Sequence, residues 1–233
     1  MTDFAKSIKI KASHVTPFRK LRASSLLSLL QEISIEHTEN LGFPRETTLD
    51  KGLLWVIAKQ HIEITRMPKY DETVTISTYP SEMMHALFPR SYEVKDNKGN
   101  TIIKGSAIWT LIDIKSRMMI NPKEYGIIIP NLSNGRDFSI PLGHKMPLDL
   151  SNEASLKASY SLCDINGHIN NSSYLDIAED LIPVSYIKEH DLKVIDIEYV
   201  HKVKLGEELN VKYGQKDDTF YFLSPAFKLR LDY

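Results

Sequence analysis

The sequence predicts an α+β chain in which one unit is used twice: two antiparallel sheets, each wrapped round a long central helix. Two observations lead there. Both halves of the 233 residues show apolar positions at helical spacing followed by β-branched alternating runs. The halves also share short matches in register. Ser24-Ser25-Leu26-Leu27 falls on Ser172-Ser173-Tyr174-Leu175, and Gln31-Glu32 on Glu179-Asp180, at a separation of 148. Ile62-Glu63 falls on Ile197-Glu198, and Lys69, Glu72, Val74 and Ile76 on Lys204, Glu207, Leu209 and Val211, at a separation of 135. The difference of 13 lies in a longer loop after the first helix. The expected division is a first unit over 1–120, a linker over 121–150 and a second unit over 151–233.

In order, alternation of Ile8, Ile10 and Ala12 predicts a strand over 8–15. Leu26, Leu29, Leu30, Ile33 and His37 then form one stripe of a helix that Leu41-Gly42 and Pro44 end. Residues 45–52 read as a polar loop, 53–66 as a strand, 68–71 as a turn and 73–79 as a further strand. Residues 88–94 and 101–113 make a hairpin across Asp96-Asn97-Lys98-Gly99-Asn100. The stretch 120–148, rich in Pro, Gly and Asn, has Ile127-Ile128-Ile129 as its one apolar run and reads as a surface linker. After it come a strand over 154–162, a helix with Tyr174, Leu175, Ala178, Leu181 and Ile182 on one face, and strands over 194–203, 209–213 and 220–231.

Composition narrows the function classes. Net charge is −1 and the pI near 6.7, so the chain lacks the global basic field of nucleic-acid binders. One cysteine, Cys163, excludes an intrachain disulfide and a Cys-rich zinc site. The amino terminus has no apolar core of a secretory signal, and no apolar run approaches the roughly 20 residues of a membrane span. The expectation is a soluble cytoplasmic protein.

The chemistry concentrates in Cys163-Asp164-Ile165-Asn166-Gly167-His168-Ile169-Asn170-Asn171. Asp164, Asn166 and His168 stand at i, i+2 and i+4, which on an extended segment puts all three on one side. A carboxylate, a carboxamide and an imidazole together accept protons, orient water and hold a carbonyl. Asn170 to Ser173 are good N-cap residues, so the trio precedes a helix N-terminus whose N–H groups suit a developing oxyanion. The same pattern is also turn-and-cap chemistry. Duplication tests between the two. Projected back by 148, the trio lands on Thr16, Phe18 and Lys20, so only the second copy carries the polar set.

The arrangement of a strand, a central helix and wrapped antiparallel strands is similar to the hotdog fold. Two such units fused, with Asp164-x-Asn166-x-His168 leading into Asn170-Asn171, resemble the acyl-acyl carrier protein thioesterases of plants and bacteria. Leu53-Leu54-Trp55-Val56, Phe88-x-Arg90-x-Tyr92 and Ile197-Glu198-Tyr199 look like strands of that family. The resemblance implies a tandem hotdog that hydrolyses a fatty acyl thioester on the phosphopantetheine arm of acyl carrier protein, with no metal or bound cofactor. Asp164 would activate water or attack the carbonyl, Asn166 would orient it, and His168 would donate a hydrogen bond or shuttle the proton. Substrate contacts would come from Gly167, Asn171 and Trp55; on physical grounds, backbone N–H groups near Gly167 and at the helix start are candidates to polarise the carbonyl. A homodimer is allowed.

One position departs. The family's expected second Glu, four residues after Glu198, is Lys202 here. Other readings stand beside the main one: an acyl-coenzyme A thioesterase, a non-catalytic acyl-binding protein, and a dehydratase on 3-hydroxyacyl substrates. Cys163 is either a nucleophile paired with His168 or a buried thiol facing away from it. Trp55 lines a pocket or is plain core. Met83, Met84, His85, Leu87 and Phe88 form a pliable wall or a surface loop. Glu179 and Asp180 are expected on a solvated face. Arg19, Lys20 and Arg22, or Lys202 and Lys204, are candidates for docking an acidic carrier protein.

Overall fold

The computed structural model of the chain describes residues 4–136, 138, 146–147 and 149–233. Ten antiparallel strands form one continuous sheet in the order β1-β3-β4-β5-β2-β7-β10-β9-β8-β6. The first unit supplies β1 (Phe4–Lys9), β2 (Leu53–Ile64), β3 (Thr73–Pro80), β4 (Leu87–Lys95) and β5 (Thr101–Asp113). The second supplies β6 (Asn152–Lys157), β7 (Val194–Tyr199), β8 (Glu208–Lys216), β9 (Thr219–Leu223) and β10 (Phe227–Asp232). The two expected sheets are therefore halves of a single one, joined where β2 meets β7.

The register of that seam relates the two units by a pseudo-twofold. Gln60 faces Ile197 and Ile62 faces Ile195, which is one contact seen from both copies, because each residue and its counterpart lie 135 apart. His61 faces its own counterpart, Asp196. The pseudo-twofold axis passes between them. The helices obey it too: Ser24 Oγ donates to Asp176 Oδ1 at 2.6 Å, and Ser28 Oγ to Ser172 Oγ at 2.9 Å, contacts exchanged by the 148 shift. Such isologous contacts are the signature of a two-fold interface.

Helix α1 (Ala23–Asn40) buries Leu26, Leu27, Leu30 and Ile33 in the core against the sheet. Each fully buried leucine contributes roughly 1.5–3 kcal/mol. A bulge between Ile57 and Lys59 shifts the alternation of β2, so that Ile57 and then Gln60 and Ile62 are all buried.

Several expectations change. The first strand stops at Lys9 and continues as a 3-10 turn over Ala12–His14, repeated as Tyr160–Leu162 in the second copy. The polar loop after α1 contains a short helix, α2 (Arg45–Asp50). The second central helix is not long: α3 (Ser173–Glu179) is cut off from α4 (Val184–Glu189) by Pro183, which cannot continue a helix. β7 ends at Tyr199, and the last expected strand is the hairpin β9–β10. The linker is not merely superficial, because Ile127 and Ile129 are buried in the core. Residues 137, 139–145 and 148 of it lie outside the described residues.

Candidate active site

The trio does not lie on an extended segment. Residues 164–168 form a tight turn in which the Asp164 N–H donates to the His168 carbonyl at 2.8 Å and the Gly167 N–H to the Asp164 carbonyl at 3.0 Å. Gly167 takes φ 71, a left-handed conformation that glycine adopts without strain. Its own N–H is committed to the turn. Asp164 Oδ1 accepts from the N–H of Asn166 at 2.8 Å and of His168 at 3.3 Å, and Oδ2 accepts from Asn166 Nδ2 at 3.1 Å.

The first copy has the same turn. Thr16 N–H donates to Lys20 O at 2.8 Å, Arg19 N–H to Thr16 O at 2.9 Å, and Phe18 N–H to Thr16 Oγ1 at 3.3 Å. Arg19 holds φ 61 at the place of Gly167. Both turns lie against the chain that follows β2 or β7, through bridges Lys20–Lys69 and His168–Lys204. The structural role is thus present in both copies, and threonine suffices for it. The first copy makes the turn with Phe18 and Lys20 at the places of Asn166 and His168, so the backbone of the turn does not depend on those two residue types.

Asn166 and His168 face a cavity of about 950 Å³ lined by both units. Asp164, Asn166, His168 and Asn171 form one wall; Trp55, Ile57, Phe88 and Trp109 give an apolar floor; Arg45, Arg117, Lys202 and Lys204 add positive charge. Asn166 Oδ1 accepts from Arg45 Nη2 at 3.2 Å, a bond across the two units that fixes the carboxamide so its NH₂ faces Asp164. The Asn171 carbonyl lies 3.2 Å from the Tyr199 hydroxyl, which also reaches Gln60 Oε1 at 2.9 Å. Asn170 Oδ1 accepts from both the N–H and the Oγ of Ser172, each at 3.0 Å, and settles the entry to α3.

Two groups in this wall are electrostatically tuned. Burial, then the cations of Lys202 and Arg117, hold His168 below the ordinary imidazole value of 6.5, against the opposing pull of Asp164. The ring is therefore neutral near neutral pH. Its Nδ1 is buried with no partner among the described residues. Lys202 is in turn lowered by partial burial and by Arg117, with Asp164 opposing.

Trp55 does line the cavity, and its Nε1–H is buried without a partner among the described residues. Cys163 packs partly buried against the core and is absent from the cavity wall. Glu198 pairs with Lys228 at 3.4 Å, also away from the wall. Of the expected methionine wall only Phe88 reaches the cavity; Met84 is 50% exposed. Glu179 is not on a solvated face: burial, then Asp176, push its carboxyl up to about 7. Arg45 and Arg117 are cavity cations that sequence reasoning missed, because each reaches the site from an element distant in sequence.

Residues 2–125 match the family described as acyl-ACP thioesterase N-terminal domain, and residues 146–231 match acyl-ACP thioesterase C-terminal domain. An oleoyl-acyl carrier protein thioesterase of Arabidopsis thaliana is 28% identical over 195 residues, covering 75% of this chain and 53% of its own length. The chain spans about half the length of the curated relatives it matches. Among solved structures, an acyl-ACP thioesterase from Bacteroides thetaiotaomicron has a TM-score of 0.79 at 21% identity, covering 98% of this chain and 96% of that one. The 12:0-ACP thioesterase from Umbellularia californica has a TM-score of 0.81 at 17% identity, with 99% and 96% covered. These likenesses establish the fold.

Proposed function

The chain belongs to the acyl-ACP thioesterase family, and on that premise we propose that it hydrolyses fatty acyl thioesters carried on acyl carrier protein, releasing the free acid. The observation that carries this reading is the meeting of Asp164, Asn166 and His168 on the wall of a cavity whose floor is apolar. The floor takes the acyl chain and the wall takes the thioester.

A carboxylate offers about four lone-pair sites. Three on Asp164 are filled by its own turn, which leaves one, on Oδ2, for a water. Asn166, clamped by Arg45, keeps that oxygen in place. Neutral His168 accepts the water proton as the water oxygen adds to the thioester carbon. The tetrahedral oxyanion is met by the positive charge of Lys202 and the carboxamide of Asn171. Collapse breaks the C–S bond, and the imidazolium returns its proton to the departing thiolate. Lys202 therefore replaces the expected second carboxylate with a cation, and Asp164 with His168 must activate the water between them. The pantetheine thiol belongs to the substrate, and the scheme needs no other group. The lone cysteine fits a reducing compartment such as the cytoplasm.

The test is thiol release from acyl carrier protein loaded with chains of graded length, against the matching coenzyme A thioesters. Asp164→Ala should lower turnover about 10²-fold or more with the fold intact. Turnover that survives the substitution removes Asp164 from the chemistry. Binding without any turnover by the native chain would favour an acyl-binding protein instead.

A further inference from the structure

Asn170 lines the cavity beside His168 and Asn171, and its carboxamide is held in one orientation. Oδ1 accepts from the backbone N–H of Ser172 and from Ser172 Oγ, each at 3.0 Å. A backbone N–H only donates, so the atom it meets is the oxygen and the NH₂ lies at the other end. Ser172 is buried, and its hydroxyl accepts in turn from Ser28 Oγ of α1 at 2.9 Å. A relay of three side chains that begins in the first unit thus fixes an amide of the second. Among the described residues nothing accepts from Asn170 Nδ2, so both of its protons are available. Asn171 lines the same cavity, but no bond among the described residues orients its carboxamide; only its carbonyl is held, by Tyr199.

The turn at Asp164 closes a narrow antiparallel pair. Asp164 N–H donates to His168 O and Asn170 N–H to Leu162 O, both at 2.8 Å, with Cys163 paired to Ile169 between them. On such a leg, residues two apart share a side. Ile169 turns into the core, and His168 and Asn170 share the opposite side, about 7 Å apart along the chain. That gap seats the reacting centre, with water against the imidazole, the acyl oxygen against the amide and the carbonyl carbon between. The first copy repeats the backbone without the amide. Val15 pairs with Leu21, and the N–H of Arg22, at the place of Asn170, donates to His14 O at 2.9 Å. Helix α1 starts from Arg22 with no side-chain cap. The pairing of the two legs therefore does not depend on asparagine.

We propose that Asn170 Nδ2 is the preorganised hydrogen-bond donor to the acyl oxygen of the thioester, which makes Asn170 a further catalytic residue. The inference rests on the hydrolase reading for its reaction. As the water oxygen bonds to the carbonyl carbon, the π electrons move onto the acyl oxygen, and its hydrogen bond to Nδ2 strengthens. Collapse returns those electrons to the carbonyl and expels the thiolate. Asn170 keeps its protons throughout and acts by position alone.

Asn170→Asp and Asn170→Ser separate the donor from the cap. Both keep an oxygen that caps the Ser172 N–H about as well as asparagine does, and both lose the NH₂. On decanoyl-acyl carrier protein each should lower kcat about 10²-fold or more, with KM little changed and the urea midpoint that of the native chain. Serine controls for the charge that aspartate brings near His168. Native kcat in both variants would make Asn170 a cap only and overturn the proposal. A loss confined to Asn170→Asp, or a raised KM at native kcat, would overturn it too. Infrared difference spectra read the same bond without turnover. Decanoyl pantetheine, isotope-labelled at its carbonyl, is bound to the Asp164→Asn chain with and without Asn170→Ser. A carbonyl stretch that rises on Asn170→Ser supports the donor, and an unmoved stretch overturns it. If the native chain hydrolyses no thioester, the hydrolase reading fails, and the infrared comparison still decides whether Nδ2 holds the acyl oxygen.

Discussion

Glu179→Gln should make the protein more stable in alkali and leave it unchanged in acid. Glu179 sits on α3, where burial, Asp176 and Asp180 favour its protonated form and Arg22 opposes them. Its counterpart in the first copy, 148 residues earlier, is Gln31, so the substitution reproduces the neutral isostere already present there. The folded-state value of about 7 stands above the ordinary glutamate value of 4.5. A raised carboxyl gives stability that is fully present below the unfolded value and is lost as pH rises through the folded one. At roughly 1.4 kcal/mol per unit, the charged form costs the native state at most about 3.5 kcal/mol, less whatever solvent contact the side chain keeps. Urea unfolding followed by circular dichroism at about pH 8 should show Glu179→Gln more stable by up to that amount, and at about pH 4 by almost nothing. An equal gain at both pH values, or none in alkali, would refute the argument.

Two further outcomes follow from the site and the symmetric helix contact. Lys202→Gln removes a cation that depresses His168, so the acid limb of the kcat/KM profile should move to higher pH and turnover should fall about 10-fold or more; an unmoved limb would separate Lys202 from His168. Ser24→Ala deprives half-buried Asp176 of its hydroxyl donor and should cost about 1–2 kcal/mol in urea unfolding, with no change in KM.

Much of the architecture was legible because duplication writes the same signal twice. The stripe from Leu26 to Ile33, the Asp96–Asn100 turn and the matches at 148 and 135 each have a local cause, and the structure contains them. What escaped depends on contacts between distant segments. Edge pairing of β2 with β7 fuses two sheets into one, and no pattern within either strand announces its neighbour. Spacing placed Asp164, Asn166 and His168 correctly in the chain but wrongly in geometry, because i, i+2, i+4 describes a strand and Asn166-Gly167 makes a turn. The helix after Ser173 was overextended because its apolar positions run past Pro183, where α4 takes a new direction. Arg45 and Arg117 act at the site from α2 and from the turn after β5, and neither carries a motif.

The seam at His61 and Asp196 has a genetic consequence. In a pair of identical subunits every codon is expressed on both sides of the axis, so a substitution useful in one site is imposed on its twin. Fusing the copies releases that constraint. One copy could trade Thr16, Phe18 and Lys20 against Asp164, Asn166 and His168 without repeating the exchange.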